Sequence, residues 1–271
     1  MKKLAEKEYW DSIYKMMPSR DGRNISEFKN WIKNLTKDYS NFLMWDVIIP
    51  RYLPKNKDLK IIEIGCAPGK YLINFNKKFA YQPYGVEYSE KGVQITKENF
   101  TKAGLDPQNI IQRDFFDTTF ESEYKDKFDL VFSRGFIEHY DDVKSVVDKH
   151  LSLIKSGGLI LISIPNLQGL NKIFGKALNI DSYNLHNVSI MNLKTFGSLF
   201  SDQEVERIFC DYVGLFSFGL FNTNKKWKYH LHRILLLIQR PFDLLLRVMF
   251  PSGHLKSRNS SPYLLFIGRK K

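Results

Sequence analysis

Between residues 59 and 167, short apolar runs alternate with segments whose apolar residues recur every three or four positions. The run KIIEI at Lys60–Ile64 is apolar but for its glutamate, stops at Gly65, and predicts a strand. KYLINFNKKF predicts a helix, PYGVEYS a second strand, and SEKGVQITKENFTKAG a helix capped by Ser89 and stopped at Gly104. NIIQRDF and FDLVFSRG predict the third and fourth strands. DDVKSVVDKHLSLIKSGG predicts a helix ending on its glycine pair, and GLILISIPN a fifth strand. Strands alternating with helices imply a parallel sheet wound by right-handed crossovers.

The flanks read differently. Residues 1–57 suggest helices broken at PSRDG (Pro18–Gly22), with Ile25–Leu53 at mostly helical spacing until Pro54. Past Pro165 the rhythm is lost. LKTFGSLF predicts a helix, EVERIFCDYVGLFSFG a long strand, and SPYLLFIGRK a last strand. No internal repeat is evident. The expected organisation is a helical cap over 1–57 and one α/β domain over 58–271, with insertions at 168–200 and 223–256.

Composition narrows the class. A chain of 271 residues, 43% hydrophobic, can bury one sizeable core, and 26% charged residues without a low-complexity tract argue against disorder. Cys66 and Cys210 give neither a disulfide framework nor a structural zinc site, which fits a reducing, cytoplasmic context. The start, MKKLAEKEYWDSIYKMM, is basic but lacks the apolar core of a secretory signal. A formal charge of +12 favours polyanions: nucleic acid, lipid headgroups or phosphorylated small molecules. A lysine-rich surface with no such partner is the plainer reading.

The turn GCAPGK after the first strand stands where α/β proteins hold cofactors. A P-loop separates its glycines by four residues and follows them with Lys and Ser/Thr. Here three residues separate Gly65 from Gly69, and Tyr71 replaces the magnesium-binding hydroxyl. A dinucleotide turn needs glycine where Ala67 and Lys70 stand. Glu63 would repel a pyrophosphate, yet suits a ligand with an ammonium group and no phosphate.

With these features in order, residues 59–167 resemble the class I S-adenosylmethionine-dependent methyltransferases. Their first motif, E/D-x-G-x-G-x-G, is matched by Glu63, Gly65 and Gly69, with Ala67 in place of the middle glycine. The resemblance implies a Rossmann-like, seven-stranded, mostly parallel sheet with helices on both faces, completed by antiparallel sixth and seventh strands. It implies S-adenosyl-L-methionine as cofactor. Glu87 would take both ribose hydroxyls, a role suited to a carboxylate that accepts two hydrogen bonds from a vicinal diol. Asp114 would face the adenine amine with Phe115 beside the ring, and Ser133, Arg134 and Gly135 would lie at the methyl-sulfonium end. Cys66, Ala67, Tyr71 and Tyr88 complete the expected cofactor set.

Methyl transfer is an in-line displacement at an activated sulfonium, so the protein aligns the nucleophile and removes its proton when needed. An amine above its pKa needs no strong base; a sugar hydroxyl does. The candidate bases are His139, Asp141 and Asp142 after the fourth strand and His186, with His139 and His186 taken as the catalytic pair. His139 belongs to a Glu-His pair that supports the cofactor loop in similar enzymes, so its other reading is structural. His186 falls where the resemblance implies a substrate pocket; its other reading is an ordinary loop histidine. Asp141 and Asp142 read as solvated loop carboxylates rather than a magnesium site, and no metal ligand is assigned. Tyr9, Trp10 and Tyr14 form either an aromatic lid over the cofactor or a helix packed on the core.

The segment 225–250 places Lys226, Arg233, Arg240 and Arg247 seven apart, close to two helical turns, so the cations share one face apart from a kink at Pro241. Its apolar run is far short of the ~20 residues that span a bilayer. It is either an interfacial amphipathic element or a pair of helices packed on the core or a second subunit.

The leading expectation is O-methylation of a small-molecule acceptor: a sugar, a phosphorylated group or a lipid-linked glycan precursor. YQPYGVEYSEKG and NLHNVSIMNLKTF resemble bacterial methyltransferases of surface-polysaccharide biosynthesis. Such a protein is expected in the cytoplasm, with peripheral contact at the inner membrane surface and a second copy of the chain as a candidate partner. An RNA methyltransferase is the alternative, since GCAPG is similar to the APGG turn of RNA ribose-methylating enzymes and the charge suits a nucleic-acid groove. Against it, Ser133 or Arg134 stands where those enzymes place an aspartate, and no Asn-Pro-Pro-Tyr-like motif follows FDLVF. A non-catalytic scaffold is disfavoured because Glu63, Glu87 and Asp114 are all present.

Overall fold

The computed structural model describes residues 2–16, 37–223 and 225–271. Its strands are β1 (Lys60–Ile64), β2 (Gln82–Glu87), β3 (Ile110–Gln112), β4 (Phe128–Arg134), β5 (Ile154–Pro165), β6 (Val205–Val213) and β7 (Tyr263–Lys270). They form one sheet in the order β3-β2-β1-β4-β5-β7-β6. The helices are α1 (Lys7–Met16), α2 (Tyr39–Phe42), α3 (Ile49–Tyr52), α4 (Lys70–Phe79), α5 (Glu90–Lys102), α6 (Thr118–Tyr124), α7 (Val143–Ser152), α8 (Gly169–Asn184), α9 (Leu193–Ser198) and α10 (Lys226–Met249). A π-helical turn, Leu43–Ile48, joins α2 to α3. The expected break at Pro18–Gly22 and the beginning of the Ile25–Leu53 helix lie outside the described residues.

Strands β1 to β5 are parallel, and β7 runs antiparallel to both β5 and β6. Strand β6 therefore points the same way as β5. This corrects the expectation of two reversed strands: one reversed strand, slotted between β5 and β6, completes the sheet. Side chains alternate across the central strands. Ile62, Ile64, Val131 and Ile160 enter one apolar cluster, whereas Ile61, Leu130, Phe132 and Leu161 enter the other. Burial on both faces explains why these strands read as nearly continuous apolar runs.

Ser89 caps α5 as expected, its Oγ accepting from Gly92 N–H at 3.1 Å. The helix of residues 141–158 does not extend to its glycine pair. It stops at Ser152, and residues 154–165 are strand throughout. Phe128 pairs with Ile154 and Leu130 with Leu159, so the residues between form a bulge that absorbs Gly157 at φ 77°. Strand β6 ends at Val213, short of the predicted Gly219. Helix α8 was not foreseen, because Gly175 and a kink at Asn179 break its apolar spacing.

Helix α10 runs through Pro241 as one 24-residue element. His232, Gln239 and Asp243 face inward: His232 Nε2 meets Phe218 O at 2.7 Å, and Gln239 Oε1 accepts from Phe218 N–H at 2.8 Å. Trp227, Ile234, Leu237, Phe242 and Val248 face outward, 53–73% exposed. Among the described residues no helix is long and apolar enough to cross a membrane.

The chain leaves β1 toward β2 and β3, then returns to β4 on the other side of β1. That reversal opens a crevice at the C-terminal ends of β1 and β4, the usual ligand site of such sheets.

Candidate active site

The turn after β1 is built from backbone conformations that favour glycine. Gly65 and Gly69 have φ of 70° and 83°. A Cβ on Gly65 would lie 2.9 Å from the Phe136 ring, and one on Gly69 2.9 Å from the Thr96 methyl. The Gly65 and Cys66 N–H groups both donate to Val86 O, at 3.0 and 3.2 Å, which ties the turn to β2. Cys66 is buried, and its sulfur packs so close to Gly85 that a Cβ there would clash at 2.5 Å. The cysteine thus belongs to the floor of the turn. Ala67 packs beneath α5, 3.0 Å from the Cβ position of Gly92.

Three carboxylates stand at successive strand ends. Glu63 is buried, with Oε2 unpartnered, and burial pushes its carboxyl well above the usual range against the opposing pull of Lys70 and Arg134. Glu87 Oε1 accepts from Ser89 N–H at 2.9 Å and Oε2 from the Tyr14 hydroxyl at 3.3 Å; burial raises its pKa too. Asp114 Oδ1 accepts from Phe116 N–H at 2.9 Å, and Oδ2 pairs with Lys3 Nζ at 2.8 Å. Tyr88 and Phe115 line a narrow cleft with Gly65, Glu87 and Asp114, and the Lys3 ammonium sits 5.0 Å from the Tyr88 ring. The N-terminal segment therefore lies over both carboxylates assigned to the nucleoside, and Ser89 Oγ adds a bond to Asp11 of α1.

Arg134 is held between the Tyr71 and Tyr263 rings, 5.1 and 4.4 Å from their centroids, and its buried Nη1 has no partner. Tyr71 in turn stacks on Trp45 of the π turn at 5.3 Å. The two orphaned atoms, Glu63 Oε2 and Arg134 Nη1, carry opposite charges. They could hold the ammonium and carboxylate of a methionine moiety, and Glu87 and Asp114 could hold ribose and adenine. The residues present fit S-adenosylmethionine.

Beside this donor end opens a cavity of about 370 Å³. Its walls come from α1, the start of α4, the loop after β4, α8 with His186, and residues 219–222. Gly135 lines it, whereas Ser133 is wholly buried in β4 and lines neither cavity. His139 and His186 meet there with ring centroids 4.6 Å apart. His139 Nδ1 is 2.7 Å from Leu185 O, and His186 Nδ1 is 2.8 Å from Ser182 O. Leu185 O, at the C-cap of α8, and Ser182 O, which also accepts from Leu185 N–H, thus orient the two rings. Burial lowers both histidines, His139 to about 3, so both rings are neutral at physiological pH. Trp10 of α1 stands edge-on to His139 at 5.2 Å. Asp142 caps α7 through Ser145, and Asp141 accepts from Lys2 N–H at 2.8 Å, so this pair serves local structure.

A glycine turn beneath a strand-end carboxylate, with two more carboxylates at the next strand ends, defines a class I S-adenosylmethionine-dependent methyltransferase. The chain belongs to the methyltransferase-domain family, which it matches over residues 37–212. Among curated proteins it is similar to the ubiquinone biosynthesis O-methyltransferase of Pelagibacter ubique, 24% identical over 165 residues. That match covers 60% of this chain and 62% of that protein, less than two thirds of its length. It is also similar to the probable cobalt-precorrin-6B C(15)-methyltransferase (decarboxylating) of Methanocaldococcus jannaschii, 21% identical, covering 48% of this chain and 67% of that one. The fold is shared with geranyl diphosphate C-methyltransferase from Streptomyces coelicolor A3(2), at 14% identity and TM-score 0.55, covering 94% of this chain and 82% of that one. A SAM-dependent methyltransferase from Archaeoglobus fulgidus gives 14% identity and TM-score 0.53, covering 90% of this chain and 100% of that one.

Sequence reasoning missed several wall residues. Lys70 reads as a helix start yet lines the cavity, as do Asn179 and Tyr183 of the unforeseen α8 and Tyr263 of β7. Glu138 was noted only as the neighbour of His139. A carboxylate next to one candidate histidine, with a second histidine past the fifth strand, was the available signal.

Proposed function

We propose that this protein transfers the methyl group of S-adenosylmethionine to an oxygen of a small anionic acceptor, a phosphorylated sugar or lipid-linked glycan precursor. The observation that carries this reading is the cavity of about 370 Å³ beside the donor turn, which brings the cation Lys70 together with His139 and His186. A cavity of that size takes a small molecule. Both histidines commit Nδ1 to a carbonyl, which leaves the Nε2 lone pairs to face the acceptor hydroxyl. In this reading Glu63 and Arg134 hold the methionine end, Glu87 the ribose and Asp114 the adenine, while Tyr71, Tyr88, Phe115 and Gly135 shape the walls. Labelled S-adenosylmethionine offered with nucleotide sugars, phosphorylated sugars and total RNA tests the acceptor class. Label entering a sugar fraction supports the reading; label entering only RNA overturns it.

The same reading places α10 on an anionic lipid surface at the inner face of the membrane. His232, Gln239 and Asp243 face inward while Trp227, Ile234, Leu237, Phe242 and Val248 lie exposed, and exposed Lys226, Arg233 and Arg240 accompany that apolar surface. Residues 219–222, just before α10, wall the acceptor cavity, which brings a lipid-linked acceptor within reach. Co-sedimentation with phosphatidylglycerol vesicles at low salt is the test, with Leu237→Glu and Val248→Glu expected to abolish it. A dimer that ignores vesicles would overturn the membrane assignment.

A further inference from the structure

Glu138, His139 and His186 converge on one side of the acceptor cavity. A nitrogen of each ring and an oxygen of Glu138 lie within 4.8 Å of one another. Because Nδ1 of each histidine faces a carbonyl oxygen, each ring must carry its proton there and keep a lone pair on Nε2. Glu138 is 0% exposed, and neither carboxylate oxygen has a hydrogen-bond partner. Without a ligand the cluster buries a carboxyl group that has no hydrogen-bond partner among the described residues, a costly arrangement.

The cluster is also rigid. Asn187 N–H donates to Glu138 O at 2.7 Å, and Asn187 Nδ2 to Tyr140 O at 3.2 Å, which fastens the turn after β4 to the end of α8. Backbone carbonyls orient both rings, the outer-shell arrangement that metal-binding histidines use. Two imidazoles and a carboxylate suit zinc, manganese, cobalt or iron(II) better than magnesium or calcium, and three protein ligands leave positions open for substrate.

We propose that Glu138, His139 and His186 hold a divalent zinc or transition-metal ion that takes the acceptor oxygen as a further ligand. The site stands on this geometry alone; its part in methyl transfer rests on the function proposed above. On the cation the acceptor O–H releases its proton to solvent, because the positive charge stabilises the oxyanion. The oxygen's electron pair then forms the O–CH₃ bond, and the pair of the breaking C–S bond returns to sulfur, leaving S-adenosylhomocysteine. The two histidines, weak as bases, act here as ligands.

The full chain, stripped with a chelator, is titrated calorimetrically with Zn²⁺, Mn²⁺ and Co²⁺, and the Co²⁺ form is followed by its visible absorption. The expected result is one ion per chain, weakened on the order of 100-fold by His186→Ala or Glu138→Gln, since even outer-shell losses cost 10–100-fold. S-adenosylmethionine binding by both variants shows that they are folded. No stoichiometric ion, or affinity unchanged in both variants, overturns the site. Full methyl transfer by demonstrably metal-free protein overturns the catalytic role and leaves the site standing. Failure of the unmodified protein to bind S-adenosylmethionine overturns the methyltransferase reading and leaves the metal titration to be judged by itself.

Discussion

The donor and acceptor halves of the crevice are built by different kinds of chain. Glu63, Glu87 and Asp114 stand at or just past the ends of parallel strands, where the sheet fixes the backbone before any ligand arrives. His139 and His186 sit in a short turn and at a helix end, 47 residues apart; His139 is oriented by Leu185 O beside His186, and His186 by Ser182 O of its own helix. The donor half is a property of the sheet. The acceptor half is a property of how α8 docks on it, and such docked segments are where related folds change their substrates.

That contrast can be broken by mutation. The largest effect is expected from His186→Ala, which should lower kcat about 100-fold or more, in line with the loss of a group that assists proton removal, while leaving S-adenosylmethionine affinity within ~2-fold. Parallel loss of cofactor affinity would show that the two halves are not separable. Glu87→Ala should do the reverse. Losing two hydrogen bonds to a charged group costs ~3 kcal/mol, so calorimetry should show ~100-fold weaker cofactor binding, with the acceptor KM little changed. Unchanged affinity would refute the ribose assignment. Gly69→Ala tests the turn itself: a non-glycine residue at φ 83° costs ~1–2 kcal/mol, to be seen as a drop of several degrees in Tm.

The smallest effect lies outside both halves. Burial raises Asp243 to about 6, with Asp38 adding to the shift. A carboxyl raised in the folded state contributes stability below its ordinary pKa and loses it as pH rises through the shifted value. Asp243→Asn should therefore flatten the Tm profile between about pH 4 and 6, and a profile identical to the parent's would show that this group does not titrate as described.

The halves also differ in how far the amino-acid pattern reveals them. Strand-end carboxylates follow from the alternation of apolar runs and from glycine spacing, both local signals, and Glu63, Glu87 and Asp114 fall where the pattern puts them. Helix α8 gave no such signal because Gly175 and Asn179 interrupt its periodicity. The glycine pair at Gly157–Gly158 reads locally as a helix stop, but pairing with β4 makes it a bulge. The bonds of Lys3 to Asp114 and Tyr14 to Glu87 join residues 111 and 73 positions apart, beyond any short-range pattern. Only packing reveals Glu138 as an unpartnered carboxylate between two histidines.

One short stretch touches both halves. Lys3 and Tyr14 occupy the polar atoms that the nucleoside requires, and Trp10, between them in sequence, rests on His139. A cofactor held by Glu87 and Asp114 in the proposed way would take the place of Lys3 and Tyr14 on those carboxylates. One stretch, Lys3 to Tyr14, thus borders both the carboxylate cleft and the histidine pair.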